Sequence, residues 1–118
     1  MTDILEIYDL ATNSWSRGAP LLRPRAGVSS VAANGCLYLI GGEGNDADPR
    51  GIFEENEMYN PATDSWQRLE PMPLPTHGLT GGAYIAPWIY IPGGAKARGV
   101  SGDVPTNLQL FRADAHCE

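Results

Sequence analysis

The chain has 118 residues, a formal net charge of −6 and a sequence pI of about 4.7. This acidic balance, without any run of Lys or Arg, argues against a nucleic-acid-binding function. A hydrophobic content of 42% excludes global disorder, and no apolar stretch approaches the length of a membrane span. Fourteen Gly and ten Pro favour an all-β fold of short strands and many turns.

The first predicted elements are two strands within residues 3–17, on either side of the turn sequence Ala-Thr-Asn-Ser-Trp. Residues 27–33 predict the next strand. Asn34 and Gly35 follow it and are a strong hairpin signal, because a type I′ turn requires positive φ at both central positions. Residues 36–42 predict the returning strand, whose nearly continuous apolar character indicates burial on both faces. Cys36 lies in this strand and is interpreted as a small buried side chain.

A loop over residues 43–55 precedes a predicted third strand at residues 56–59. The turn sequence Asn-Pro-Ala-Thr-Asp-Ser leads to a short fourth strand at residues 66–70. Three prolines follow this strand and are expected to end it and to change the direction of the chain. Residues 77–112 then predict a further first, second and third strand. The prediction is therefore nine strands, grouped as two, four and three.

The sequence predicts no metal site among its cysteines, histidines and acidic residues. Two Cys and two His lack the close spacing of metal ligands. Asp and Asn alternate in residues 43–48 as in a calcium loop, but the spacing and the lack of flanking helices disfavour one. Cys117 stands next to the end and is expected to be mobile. The sequence does not exclude a disulfide with Cys36, although nothing in it indicates one.

A repeat of 51 residues explains the grouping of strands. Residues 6–35 and 57–86 share eleven identities in thirty compared positions, against about two expected by chance. When the chain is compared with itself at an offset of 52 residues, the later part of the repeat aligns with the third group of strands. A single four-stranded sheet has two apolar faces, which copies stacked radially can bury. The repeated positions that define the pattern are Tyr8, Trp15, Gly41, Gly42, Tyr59, Trp66, Gly93, Gly94 and Phe111.

The double glycine, the Tyr 17 residues after it and the Trp 7 residues further on resemble the kelch motif, whose period is also about fifty. The resemblance covers essentially the whole chain and implies a fragment of an all-β, kelch-type β-propeller built from four-stranded antiparallel blades. Residues 1–24 would end one blade, residues 25–76 would form a complete kelch blade, and residues 77–118 would form a final blade without its fourth strand, plus a tail. In such propellers the motif residues are structural: the glycines permit close backbone approach, and the aromatic rings pack between adjacent sheets.

A propeller needs roughly four to eight blades to close. We therefore expect the chain to be part of a longer protein, whose remaining blades are its first partners. Many propellers complete the last blade with an N-terminal strand, so a chain ending after a third strand is expected to be the C-terminal part. Residues 1–6 lack the features of a signal peptide. A cytoplasmic location is the default expectation, although the longer protein could be secreted.

Long loops are the expected place for function. The connections between blades, and those between second and third strands, share one face: residues 21–25, 43–55, 74–77 and 95–105. Arg25 and His77 lie near the start of innermost strands, where they either point at the central channel or satisfy loop carbonyl groups. The candidate binding-face residues are Arg23, Arg25, Arg50, His77, Lys96 and Arg98.

The resemblance implies three classes of function. The commonest is a protein-interaction scaffold, which needs charged loops and no catalytic cluster. The alternative is a carbohydrate-active propeller enzyme similar to galactose oxidase or the sialic acid epimerases, in which His77 would be the acid/base or ligand to suspect. The third is a structural or surface-associated module. We predict a scaffold that binds a protein partner through the loop face, with no catalytic residue, metal or cofactor in this segment, and neither nucleic acid nor membrane as a partner.

Overall fold

The computed structural model describes residues 1–78, 81–99 and 104–117. Within these ranges the chain forms nine strands and no helix, so none of the described elements is a helix that could cross a membrane. Three separate antiparallel sheets result, with strand orders β1-β2, β3-β4-β5-β6 and β7-β8-β9. The predicted all-β class and its grouping into two, four and three strands are confirmed. The strands are β1 (Leu5–Asp9), β2 (Ser14–Gly18), β3 (Ser29–Ala33), β4 (Cys36–Ile40), β5 (Asn56–Asn60), β6 (Ser65–Arg68), β7 (Ala83–Ile85), β8 (Trp88–Pro92) and β9 (Leu108–Arg112).

The tight turns follow the local sequence. Asn34 has φ 52° and Gly35 has φ 77°, so both central positions of the β3–β4 hairpin have the positive φ that a type I′ turn requires. Asn13 and Asp64 take φ 52° and 48° in the β1–β2 and β5–β6 turns. Asn and Asp tolerate this left-handed conformation better than other non-glycine residues. The register of these three hairpins is thereby fixed by one or two residues in the turn.

The core lies between the second and third sheets. Strand β3 alternates buried and exposed residues, whereas β4 is buried along almost its whole length, as its apolar sequence indicates. The rings of Tyr38 and Phe111 meet across the two sheets with their centroids 6.0 Å apart. Burial of such side chains is the main force that holds the two sheets together. The buried cluster comprises Val31, Ala33, Cys36, Tyr38, Ile40, Met58, Met72, Ile89, Ile91, Ala113 and Cys117.

Gly41 lies where the chain leaving the second sheet crosses the end of β4. Its φ is 69°, and a Cβ there would collide with the carbonyl oxygen of Thr76. The next residue, Gly42, donates its N–H to that same oxygen at 3.1 Å. The first glycine of the pair is thus required for the close approach of two backbone segments.

A disulfide joins Cys36 to Cys117, so the expectation of a mobile chain end was wrong. The Cα atoms are 5.1 Å apart, which is within the usual range for a disulfide. The tail packs on the β3–β4 turn: Cys117 N donates to Asn34 O at 2.9 Å, and Asn34 Nδ2 donates to Ala113 O at 3.2 Å. The tail therefore ties the third sheet to the second. The partners are 81 residues apart, which is why the sequence does not reveal the pair.

The first and second sheets meet through Ala19, which follows β2. Trp66 Nε1 donates to Ala19 O at 2.8 Å, and Asp64 Oδ1 accepts from Ala19 N at 2.7 Å. The Tyr59 hydroxyl donates to the same Oδ1 at 2.7 Å. The Ala19 N–H, followed by the Tyr59 hydroxyl, lowers the pKa of Asp64, and the bond to Asp64 raises the pKa of Tyr59 to about 12. We call Tyr59, Asp64 and Trp66 the Ala19 clamp, since together they bind both backbone polar groups of one residue.

Gly18 precedes the clamped residue and leaves no room for a side chain. A Cβ at this position would lie 2.8 Å from the Tyr59 hydroxyl oxygen and 3.1 Å from Asp64 Oδ1. Real Cβ atoms essentially never come within 3.0 Å of another heavy atom, so a side chain here would have to displace the Tyr59 hydroxyl. The clamp therefore favours glycine immediately before the residue that it binds.

The clamp predicts different effects for two tryptophan substitutions. Trp66→Phe should lower the free energy of unfolding by roughly 1 kcal/mol, because it removes the bond to Ala19 O while keeping an aromatic ring. Trp15→Phe should change it by less than about 0.5 kcal/mol, because Trp15 is 70% exposed. Urea denaturation followed by circular dichroism measures both. Equal destabilisation by the two variants would contradict the role assigned to the clamp.

Candidate functional site

The loop between β4 and β5 is organised by its own backbone. Glu43 forms isolated bridges with both Ala26 and Ile52. Gly51 O accepts two backbone N–H groups from the start of the loop, and Phe53 N donates to Gly42 O at 2.9 Å. The side chains of Ile52 and Phe53 are buried beneath it. The loop therefore presents its polar residues from a rigid base.

Two adjoining polar clefts lie on this loop, with volumes of about 380 and 280 Å³. Asn45, Asp48 and Arg50 line both of them. Arg98 closes one side of the larger cleft, and Arg23 closes one side of the smaller. Cations and carboxylates thus alternate along a continuous exposed surface, which suits a polar ligand better than an apolar one.

Arg23 is held on three sides. Its Nη1 lies 3.0 Å from Glu55 Oε1, and its Nη2 donates to Asn45 Oδ1 at 3.4 Å. The guanidinium carbon lies 4.8 Å from the centroid of the Phe53 ring, a cation–π arrangement. The Arg23 side chain is nevertheless 41% exposed, so a ligand in the smaller cleft can still reach it.

Arg98 fixes the third-sheet loop to the β4–β5 loop. Its Nη2 lies 2.9 Å from Asp46 Oδ1, and its backbone N donates to Arg50 O at 2.8 Å. Arg50 in turn donates its backbone N–H to Asp48 Oδ1 at 2.7 Å, and this bond lowers the pKa of Asp48. The side chains of Arg50 and Arg98 remain about half exposed, and both line the larger cleft.

Arg25 lies inside the second sheet, at 3% exposure. Its Nη2 lies 2.7 Å from Glu57 Oε2, and both side chains are fully buried. Its Nη1 donates to Gly41 O at 2.9 Å and to Glu55 O at 3.0 Å. Burial lowers the pKa of Arg25, and the negative charge of Glu57 opposes this shift. The guanidinium thus satisfies loop carbonyls, and any part of Arg25 in ligand binding stays a prediction.

His77 is also buried, at 4% exposure, and its backbone pairs with Ala95. Its Nε2 lies 2.9 Å from both Ala97 O and Gly99 O. Because carbonyl oxygens only accept hydrogen bonds, Nε2 carries the proton and donates to them. Lys96 lies half-buried in the same loop. His77 therefore shapes residues 95–99, and a role for it in ligand binding stays a prediction.

The structure separates the six sequence candidates by exposure. Arg23, Arg50 and Arg98 surround the two clefts, whereas Arg25 and His77 hold the loops from beneath. Part of the predicted segment 95–105 lies outside the described residues. Among those described, no group of three or more His, Cys, Asp or Glu is placed to hold a metal ion.

The residue that sequence reasoning missed is Glu57, the partner of Arg25. It is fully buried, and Arg68 Nη2 lies 3.5 Å from its second oxygen. The sequence gives no signal of this burial, because Glu is ordinarily exposed and the identical residue at the equivalent position, Glu6, is exposed. A buried charge requires a partner of opposite sign, which Arg25 supplies.

Residues 24–73, which contain the complete four-stranded sheet, match the family model described as the kelch motif. The chain belongs to the kelch-repeat family. A kelch-like protein, terF, from Aspergillus terreus (strain NIH 2624 / FGSC A1156) is 33% identical over 95 residues, which are 80% of this chain and 20% of that protein. Beta-scruin from Limulus polyphemus is 36% identical over 78 residues, 66% of this chain and 8% of its own length. The chain thus spans a fifth or less of these kelch relatives.

A solved structure supports the fold. The structure of YjhT superposes with a TM-score of 0.55 at 30% identity, covering 69% of this chain and 24% of that one. The F-box/kelch-repeat protein At1g67480 from Arabidopsis thaliana is 33% identical over 87 residues, 74% of this chain and 22% of its own length. Kelch repeats with a propeller-type blade are therefore the architecture of this chain.

Proposed function

We propose that this kelch-repeat chain is a protein-interaction module that binds its partner through the β4–β5 loop and the adjoining residues 21–25 and 95–99. The observation that carries the proposal is the pair of adjoining polar clefts, flanked by Arg23, Arg50 and Arg98. Kelch repeats generally serve as protein-interaction scaffolds, which supports the same assignment. Fold alone does not decide function, so the proposal rests on this surface.

The clefts favour a partner with polar side chains of both signs. Arg50 and Arg98 offer guanidinium edges that suit a carboxylate, and Asp46 and Asp48 offer acceptors for a neighbouring donor. Backbone bonds already hold the loops together, so binding would cost little ordering entropy. Arg is also among the residues that contribute most to binding energy at protein interfaces.

The module is also proposed to work in an oxidising compartment. The Cys36–Cys117 disulfide is the supporting observation, since disulfides form and persist in secreted and periplasmic proteins. This proposal replaces the default expectation of a cytoplasmic location with one that favours a secreted or exported protein.

The alternative of a carbohydrate-active propeller enzyme gains no support from the described residues. His77, the residue to suspect in that case, is buried, and its Nε2 is engaged with two carbonyl oxygens. The interaction module therefore remains the function that the geometry favours.

Paired substitutions test the loop face. Immobilised wild-type chain, an Arg50→Ala/Arg98→Ala variant and an Arg112→Ala control are compared for the proteins that each retains from the source cells. Arg112 is a matched control, because its Nε lies 2.8 Å from Asp114 Oδ1 on the exposed side of β9, away from the clefts. We expect the double variant to retain roughly tenfold less of a partner that the wild type and the control both bind. Equal retention by all three proteins would contradict the proposal.

A further inference from the structure

The β3–β4 turn contains a pair of residues that favours reaction of an asparagine side chain with its own backbone. Asn34 and Gly35 form the only Asn-Gly pair in the sequence. Gly35 is exposed, and it lies between the paired residues Ala33 and Cys36, outside the hydrogen-bonded ladder. Glycine has no Cβ that would hinder attack by its backbone nitrogen on the preceding amide. The turn and the two clefts lie at opposite ends of β4, so this chemistry is separate from the proposed loop-face function.

The side-chain amide of Asn34 is held at both of its polar atoms. Nδ2 donates to Ala113 O at 3.2 Å, and Oδ1 accepts from the Tyr84 hydroxyl at 3.2 Å. Tyr84 belongs to β7, whereas Ala113 begins the tail that follows β9, residues 113–117. Cyclisation draws the side-chain Cγ onto Gly35 N and expels Nδ2, so it removes the amide from both partners. The two hydrogen bonds therefore oppose the reaction.

The disulfide keeps Ala113 in place. Cys36 stands two residues after Asn34, and its bond to Cys117 fastens the tail against the turn. Cys117 N also donates to Asn34 O at 2.9 Å. Without the covalent bond the tail is held by hydrogen bonds and by small side chains, and segments with few buried apolar contacts open locally at low cost in free energy. The hydrogen bond from Asn34 Nδ2 to Ala113 O therefore depends on the redox state of the two cysteines.

We propose that Asn34 is a site of spontaneous deamidation, which the docked tail blocks and which reduction of the Cys36–Cys117 disulfide opens. A thiol reductant reduces the disulfide to two thiols and is itself oxidised to a disulfide. Gly35 N then loses its proton to solvent and attacks Asn34 Cγ, which closes a succinimide ring, and Nδ2 leaves as ammonia with a proton from solvent. Water adds to the ring and opens it to aspartate or isoaspartate.

The product does not dock the tail in the same way. A carboxylate at residue 34 has no N–H to donate, so its oxygen would face Ala113 O across the position of the former hydrogen bond. Isoaspartate also lengthens the backbone of a two-residue turn, which disturbs the register of β3 and β4. Reoxidation therefore does not restore the original contacts. In the oxidising compartment proposed above the site stays closed, and its reaction records, irreversibly, that the protein has met a reductant.

Asn13 is a matched comparison within the same chain. It has the same φ as Asn34, 52°, in the β1–β2 turn. Its side chain is exposed, and the Tyr8 hydroxyl donates to its Oδ1. Ser14 follows it, so the attacking nitrogen belongs to a residue with a Cβ. The tail bonds act on the β3–β4 turn, so deamidation at Asn13 should be slow and should respond to unfolding of the whole chain rather than to opening of the tail.

The test compares oxidised wild type, wild type with dithiothreitol, and Cys36→Ser/Cys117→Ser. Each is incubated in mildly alkaline buffer at a temperature at which circular dichroism shows that it remains folded. Peptide mass spectrometry follows the gain in mass as the amide becomes an acid. We expect conversion at Asn34 to be roughly tenfold faster in reduced wild type and in the double variant than in oxidised wild type, because the tail opens. Conversion at Asn13 should be equal in all three, and dithiothreitol should not change the rates in the double variant.

Tyr84→Phe tests the second hydrogen bond while the disulfide is intact. It removes the hydroxyl that binds Asn34 Oδ1 and keeps the ring, so conversion at Asn34 in the oxidised chain should rise roughly threefold. The inference is overturned if oxidised and reduced wild type convert Asn34 at the same rate. It is also overturned if reduction speeds conversion at Asn13 by the same factor, because general unfolding would then explain both changes.

Discussion

Cys36→Ser/Cys117→Ser should lower the free energy of unfolding by roughly 4 kcal/mol, one of the two largest effects expected in this chain. The disulfide joins residues 81 positions apart, so its loss greatly increases the conformational entropy of the unfolded chain. Both sulfur atoms are buried in the core between the second and third sheets. Urea denaturation of the oxidised wild type and of the double variant measures the difference.

A reductant provides the control for this prediction. Dithiothreitol should shift the wild-type unfolding midpoint to that of the double variant, and it should leave the variant itself unchanged. The two tail bonds to Asn34 would then remain as polar links between the tail and the β3–β4 turn. Identical midpoints for oxidised and reduced wild type would show that the disulfide contributes nothing to stability.

Arg25→Met should cost about 3–5 kcal/mol of unfolding free energy, the second large effect. The substitution keeps most of the side-chain volume but leaves Glu57 buried without its closest counter-charge. It also removes the donors to the carbonyl oxygens of Gly41 and Glu55. Arg68 is 3.5 Å from the other oxygen of Glu57 and half exposed, so it can compensate only in part.

Arg23→Ala is the matched control for Arg25→Met, since its ion pair with Glu55 is partly exposed. Such pairs contribute about 0–1 kcal/mol, and we expect a change within that range. Adding Glu57→Gln to Arg25→Met should recover part of the lost stability, because it removes the buried charge. The buried pair would have no special role if Arg23→Ala and Arg25→Met destabilised the protein equally.

The sequence predicted those features that depend on neighbours along the chain. Asn34 and Gly35 determine the conformation of their turn by their own backbone preferences. The two strands that flank this turn could therefore be predicted from the sequence. The repeat supplied the sheet grouping, because each four-stranded unit needs the same turn residues and the same aromatic pair. The all-β fold and the kelch family followed from these local signals together.

The sequence did not predict features that depend on distant partners. Cys117 contacts Cys36 only because the tail crosses the β3–β4 turn. No local sequence pattern predicts this position of the tail. Glu57 resembles an exposed strand residue until Arg25 is placed beside it. Trp15 and Trp66 have the same sequence context, yet only Trp66 lies against another sheet. In each case the decisive information is which segment occupies the neighbouring space.

The position of the disulfide near one end also determines how the chain bears mechanical load. A force applied between Met1 and Cys117 passes directly from Cys36 to Cys117 through the covalent bond, so the residues between them carry none of it. Only the first 36 residues can be extended, to roughly 120 Å, whereas a reduced chain of this length could be drawn out to roughly 400 Å. Strands β4 to β9 are therefore shielded from tension, and β1 to β3 act as the extensible part of the molecule.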